Sequence, residues 1–174
     1  MSCGMVRKVD ELGRVVIPKE MRRILNIKTG SSIEMFINDN NEVVLKKFSE
    51  ITNVLLFAEN LAEVIFDYLN LPCLISDDEK ILVVKGVNKK EYLNKKIVNL
   101  NNKNNNQKDY FILNKEEQFL LDIKNNFENN YIFNIYSEGI ETGYIYILSD
   151  TILLDNKISN IIILKKFLSN LLKF

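Results

Sequence analysis

Three short stretches near the N-terminus, Val15-Val16-Ile17, Met35-Phe36-Ile37 and Val43-Val44-Leu45, are runs of consecutive apolar residues without alternation. Runs of this kind predict strands, and strands lacking a polar side are buried on both faces. Met5 to Val9 is mixed and predicts an exposed strand, separated from Val15–Ile17 by the turn Asp10-Glu11-Leu12-Gly13. Pro18 suits the start of a helix, where its missing N–H costs nothing. In that helix Met21, Ile24 and Leu25 form an apolar stripe, and Lys19, Arg22, Arg23 and Asn26 fall on the other side. Asn26 to Ser32 reads as a loop with a turn at Thr29-Gly30. Ile33–Ile37 and Glu42–Lys46 flank Asn38-Asp39-Asn40-Asn41 as a hairpin. So few short elements make a poor independent core. Two chains sharing one core is the simplest solution.

The pattern then changes period. Ser49 is placed to cap a helix reaching about Asn70, in which Ile51, Leu55, Ala58, Ala62, Ile65 and Leu69 repeat at spacings of four and three. Leu56, Phe57, Leu61, Val64 and Phe66 widen the apolar surface beyond that stripe, so the helix is expected to pack on its own domain and on a neighbouring subunit. Pro72–Ser76 and Lys80–Gly86 flank Asp77-Asp78-Glu79 as a second hairpin, and Asn88 caps a helix to about Leu100. Asn99 to Asp109 is asparagine-rich and predicts a surface loop. Strands are expected near Gln118–Ile123, Tyr131–Ser137 and Gly143–Ser149, the last alternating Tyr144, Tyr146 and Leu148 with Ile145 and Ile147. Asp155 opens a closing helix with Ile161, Leu164, Leu168 and Leu171 on one stripe.

Composition narrows the function class. Apolar content of 47% and charged content of 26% are those of an ordinary soluble globular chain. No apolar run approaches the ~18–20 residues of a membrane span, and no signal peptide is evident. Cys3 and Cys73 cannot form a disulfide framework. The absence of histidine removes the usual general base and any Ser-His-Asp or Cys-His arrangement. The six glycines are too scattered for a phosphate-cradling loop. A cytoplasmic, non-enzymatic protein with no cofactor and no metal is expected.

Charge points to a partner. The formal net charge is zero, yet residues 7 to 23 hold Arg7, Lys8, Arg14, Lys19, Arg22 and Arg23 against Asp10, Glu11 and Glu20. All four arginines of the chain lie there; the other nineteen basic residues are lysines. A guanidinium offers a rigid fork of donors that matches phosphate oxygens and guanine edges, which an ammonium does not. Charge clusters are usually solvated faces. Here arginine is confined to the one place where geometry would matter, which is the footprint of nucleic-acid binding.

The stretch from Gly4 to Arg23, GMVRKVDELGRVVIPKEMRR, resembles almost position by position the DNA-binding domain of the AbrB family of bacterial transition-state regulators. The resemblance implies that Arg7, Arg14, Arg22 and Arg23 contact double-stranded DNA, with Lys8 and Lys19 on phosphate. It also implies that two chains interleave into a swapped-hairpin β-barrel. Where this family often has Gly-Asp before the hairpin, the chain has Gly30-Ser31.

The order of elements after residue 70, with KKEYLNKKI at Lys89–Ile97, is similar to that of GAF domains, which are small-molecule sensors. The expected fold class is therefore α+β: a swapped-hairpin β-barrel forming an interleaved dimer (residues 1–48), a linker and oligomerisation helix (49–70), and a GAF-like α+β domain with a C-terminal helix (71–174). In relatives of this kind, the GAF domains and flanking helices join dimers into tetramers. The expected function is transcriptional regulation of sporulation or transition-state genes, with an unidentified small-molecule effector left open. The alternative is an antitoxin-like interaction module, because AbrB-type barrels also occur in antitoxins.

Overall fold

The computed structural model describes residues 4–100 and 109–172. They divide into two compact units, Met1–Phe48 and Ser49–Phe174.

In the first unit, helix α1 (Lys19–Ile24) is followed by strands β1 (Ile33–Ile37) and β2 (Val43–Lys47). The strands pair antiparallel from Ile33↔Lys47 to Ile37↔Val43. Asn38 closes their turn. Its side-chain oxygen accepts from the N–H of Asn40 (3.1 Å) and of Glu42 (2.9 Å), and Asn41 adopts φ 59°. Ser31 also accepts from a backbone N–H, that of Lys28 at 3.0 Å, so the loop before the hairpin is held by a local hydrogen bond.

The expected strands at Met5–Val9 and Val15–Ile17 do not form a ladder within one chain. A strand is defined by its neighbour, and among the described residues these two segments have none. Among the described residues of this unit only Pro18 is buried. Val6 is 90% exposed, Val16 74% and Ile24 78%, and Met35, Ile37 and Val43 are also open. The apolar runs that predicted two-sided burial find none in a single chain.

The second unit begins with α2 (Glu50–Asn53) and α3 (Leu55–Leu69). The continuous helix expected from Ser49 is thus interrupted at Val54, which has φ −109° and ψ 27°, and Ser49 makes no side-chain cap bond. Strands β3 (Cys73–Asp77) and β4 (Ile81–Lys85) form the expected hairpin, tied by Asp77 accepting from the N–H of Glu79 and of Lys80. The helix expected from Asn88 to Leu100 is a single turn, α4 (Lys89–Tyr92): Asn88 caps it, and Leu93, extended at φ −63° and ψ 135°, ends it before the left-handed Asn94. Beyond it the backbone instead makes isolated bridges, Lys80↔Lys96 and Ile97↔Leu120. The asparagine-rich loop falls largely on residues 101–108, outside the described residues.

Then come β5 (Tyr110–Asn114), β6 (Asn129–Ser137), β7 (Ile140–Ser149) and α5 (Asp155–Leu171). The strand expected at Gln118–Ile123 is displaced to Tyr110–Asn114, which takes the edge position beside β6. Phe119 and Leu120 supplied the apolar signal but spend it on side-chain burial under the sheet. The sheet is antiparallel with order β4-β3-β7-β6-β5.

Alternation along the strands sorts the core into two layers. Ile75, Phe133, Ile135, Ile145 and Ile147 meet Ala58, Ala62 and Ile65 of α3 and Ile161 and Leu168 of α5. Leu74, Ile132, Tyr146 and Leu148 meet Tyr92, Leu100, Phe119 and Leu120 on the other side. The four-and-three stripes of both long helices are therefore used within the unit. Gly143 is required where β7 crosses β3 and α2, because a Cβ there would collide with the Ser76 carbonyl and the Ile51 side chain. Cys73 lies fully buried, and burial pushes its thiol pKa up, so it is a packing residue.

Candidate nucleic-acid interface

The arginine-bearing segment is organised by one turn. Asp10 accepts through Oδ1 from the N–H of Leu12 (3.0 Å) and of Arg14 (2.8 Å). Its own N–H donates to the Arg14 carbonyl at 3.0 Å, and Gly13, at φ 74°, donates to the Asp10 carbonyl. The Arg14 Nε donates to Asp10 Oδ2 at 2.8 Å. The Arg14 N–H, then its guanidinium, hold the Asp10 carboxyl below the usual carboxylate range. Gly13 supplies the left-handed conformation the turn needs. Arg7 and Lys8 lie on the arm entering this turn, and Arg14 is at its exit.

Helix α1 carries the rest. Pro18 caps it, and its carbonyl accepts from the Arg22 N–H at 3.0 Å. Lys19 and Arg23 are exposed, whereas Arg22 is partly buried and its Nε is enclosed with no acceptor. Arg7, among the described residues, reaches its neighbours, the Val6 carbonyl at 3.5 Å and the Met5 sulfur at 4.0 Å. Among the described residues, Arg14 alone of the four arginines has a carboxylate partner. The structure thus joins Arg14 to Asp10 and sets Arg22 beside Arg23 in one helical turn. No bond among the described residues links Arg7, the turn and α1 to each other.

Sequence reasoning treated Asp10 only as a turn former. An acid four residues before an arginine was the available signal for its second partner. It also singles out no buried polar group inside residues 71–174 as a candidate site. The structure buries a cross-strand row there, Ser76–Tyr144–Asn134, with Tyr146 bonded to Ser76 at 3.3 Å and Tyr144 donating to Glu141. Burial, and then Glu141, push the Tyr144 hydroxyl pKa far up; burial does the same for Tyr146. Among the described residues no acid or thiol cluster could hold a metal ion, and no helix is long and apolar enough to cross a membrane.

The two units match two known families in sequence. Residues 6–50 match the family described as antidote-toxin recognition MazE, bacterial antitoxin. Residues 50–163, most of the chain, match the family described as stage V sporulation protein T C-terminal, transcription factor, and the chain belongs to that family, with an AbrB-type N-terminal domain. Among individual proteins of Bacillus subtilis (strain 168), stage V sporulation protein T is 46% identical over 96 residues, 55% of this chain and 54% of that protein. The putative transition state regulator Abh is 55% identical and the transition state regulatory protein AbrB 53% identical, each over 47 residues, 27% of this chain. Those matches cover 50% and 48% of the two proteins, so the chain spans about half the length of the curated relatives it matches.

Proposed function

We propose that this chain is a DNA-binding transcriptional regulator of sporulation or transition-state genes. The observation that carries the reading is the placement of all four arginines in a segment whose relatives are transition-state regulators. Arg7, Arg14, Arg22 and Arg23 contact DNA; Lys8 and Lys19 add phosphate contacts. The partner is double-stranded DNA, and the protein acts by binding, not by catalysis.

Residues 1–48 form the DNA-binding unit by interleaving with a second copy into a swapped-hairpin barrel. The support for this is energetic: a unit exposing Val6, Val16, Ile24, Met35 and Ile37 has no core until another chain supplies one. Residues 49–70 link the units and 71–174 form a GAF-like domain. The linker helix α3, through Leu56, Val64 and Tyr68, and the closing helix α5, through Ile163 and Phe167, offer a second contact for copies of the chain, all five side chains being exposed. Effector sensing would use the buried polar row, whose hydroxyls and amide suit a small polar molecule.

The test is salt-dependent binding to duplex DNA. Neutralising phosphates releases counterions, so log K falls linearly with log salt. Arg22→Ala with Arg23→Ala should weaken binding and flatten that slope by about one per lost contact. Full affinity in the double variant rejects the assignment. The antitoxin reading rests on the match at residues 6–50. Co-purification of a small toxin that occupies the arginine-bearing unit would favour it.

A further inference from the structure

The first unit contains the same turn twice. Asp10 and Asn38 each accept through Oδ1 from the N–H two and four residues ahead. Each donates its N–H to the carbonyl four residues on, at 3.0 Å for Asp10 and 3.1 Å for Asn38. Each accepts at its carbonyl from residue i+3, which is left-handed in both, Gly13 at φ 74° and Asn41 at φ 59°. Each also bonds side chain to side chain with residue i+4: Arg14 Nε to Asp10 Oδ2 at 2.8 Å, and Asn38 Nδ2 to Glu42 Oε2 at 2.7 Å.

The Asn38 copy shows that the turn closes without a charge on its first residue. A carboxylate at position 10 is thus not needed for the backbone. It also carries a cost in a DNA-facing segment, since it repels phosphate and offsets one guanidinium. What it alone supplies is an acceptor for the Arg14 Nε. With Nε occupied, the guanidinium plane is fixed and the two terminal Nη groups are left as a two-pronged donor edge. The fork matches a phosphate as well, but a phosphate presents its oxygens in several directions and so tolerates a wider range of approach. Bidentate reading of a guanine edge does need the plane fixed.

We propose that Asp10 is a positioning residue that holds Arg14 by Nε, making Arg14 the arginine that reads a base edge while Arg7, Arg22 and Arg23 bind phosphate. The inference rests on the DNA-binding reading above. It goes further by dividing the arginines into one specificity-determining group and three affinity-determining ones.

The experiment uses the full chain and two probes: a duplex enriched by the wild-type protein from a randomised pool, and its shuffled counterpart of equal composition. Discrimination is the affinity ratio between them. Asp10→Asn keeps the Oδ1 acceptor of the turn, as Asn38 does, but presents an amide N–H to Arg14. It should lose about tenfold in discrimination, the scale of one bidentate base contact, while holding or gaining affinity for the shuffled duplex because an acid is gone. Arg14→Lys keeps both the acid and the positive charge, removes the fork, and should lose discrimination similarly. It also serves if D10N melts early. D10N added to R14K should cost no further discrimination, whereas Arg23→Ala should weaken both duplexes alike and flatten the salt slope.

Discrimination unchanged in D10N or in R14K overturns the inference, and so does a wild-type protein that binds DNA but enriches no preferred duplex. In both cases the DNA-binding reading survives. A wild-type protein that binds neither duplex overturns that reading, and this inference with it.

Discussion

The two units of this chain solve the burial problem in opposite ways. Residues 49–172 bury both faces of a five-stranded sheet, with Phe133, Ile145 and Ile147 on the helix side and Ile132, Tyr146 and Leu148 on the other. Residues 4–48 have comparable apolar runs, yet nearly every one of their large apolar side chains stands at least partly open. Moving a large apolar side chain from water to a core is worth about 1.5–3 kcal/mol. Half a dozen of them would rival the ~4–15 kcal/mol that association costs in lost freedom. The lesson is that similar apolar runs build a self-sufficient fold in one place and an invitation to a second chain in another. If a second chain completes that core, the basic side chains mounted there are displayed on a folded surface only when the chains meet.

The sharpest way to break this contrast is to truncate each core in turn. Phe133 is fully buried and stacks on Tyr110 with ring centroids 5.3 Å apart. Phe133→Ala should cost about 3–5 kcal/mol, read as a fall in the urea midpoint of the second unit that does not change with protein concentration. Leu45, 38% exposed in one chain, is the counterpart in the first unit. If two chains share a core there, Leu45→Ala should cost about 2 kcal/mol, and its unfolding midpoint should rise with concentration. A loss below about 0.5 kcal/mol, typical of a surface position, with no concentration dependence would show that the first unit stands alone.

The same contrast explains what could be read in the sequence. Both hairpins, α1, α5 and the long strands β6 and β7 were legible because their signals are local: a turn of asparagines or acids, a proline before a basic helix, alternation from Tyr144 to Ser149. The misses were decided elsewhere in the molecule. Met5–Val9 and Val15–Ile17 form no ladder within one chain, and an apolar run does not say where its pairing strand lies. The strand expected at Gln118–Ile123 gave way to Tyr110–Asn114, since an apolar triplet cannot say whether it pairs or plugs. The helix from Asn88 stopped after one turn, where Leu93 is extended, Asn94 is left-handed and Lys96 bridges Lys80. The arginines were legible by composition alone. The clasp on Arg14 was not, because a carboxylate in a turn has an ordinary local use that hides its second one.

A smaller effect sharpens the picture of the second unit, which is not held by apolar contacts alone. Lys165 sits on the buried stripe of α5, and its ammonium donates to Asp109 Oδ1 at 2.6 Å and to the Asp109 carbonyl at 3.3 Å. The hydrogen bond from Lys165 is the main cause that holds the Asp109 carboxyl below its ordinary range, with Lys166 adding a little. A folded-state value lower than the unfolded one stabilises at pH above the unfolded value of about 3.9. That contribution fades as pH falls through the lower folded value. Because Asp109 is 47% exposed, water screens the pair and its worth near neutrality is small. Lys165→Met keeps most of the buried stem and removes the ammonium. Near pH 7 the variant should melt within about 1 kcal/mol of the wild type. Below pH ~4 its stability should fall less steeply. An acid limb of unchanged slope in the variant would place the acid sensitivity of this unit in other carboxylates and leave the Lys165–Asp109 contact as packing.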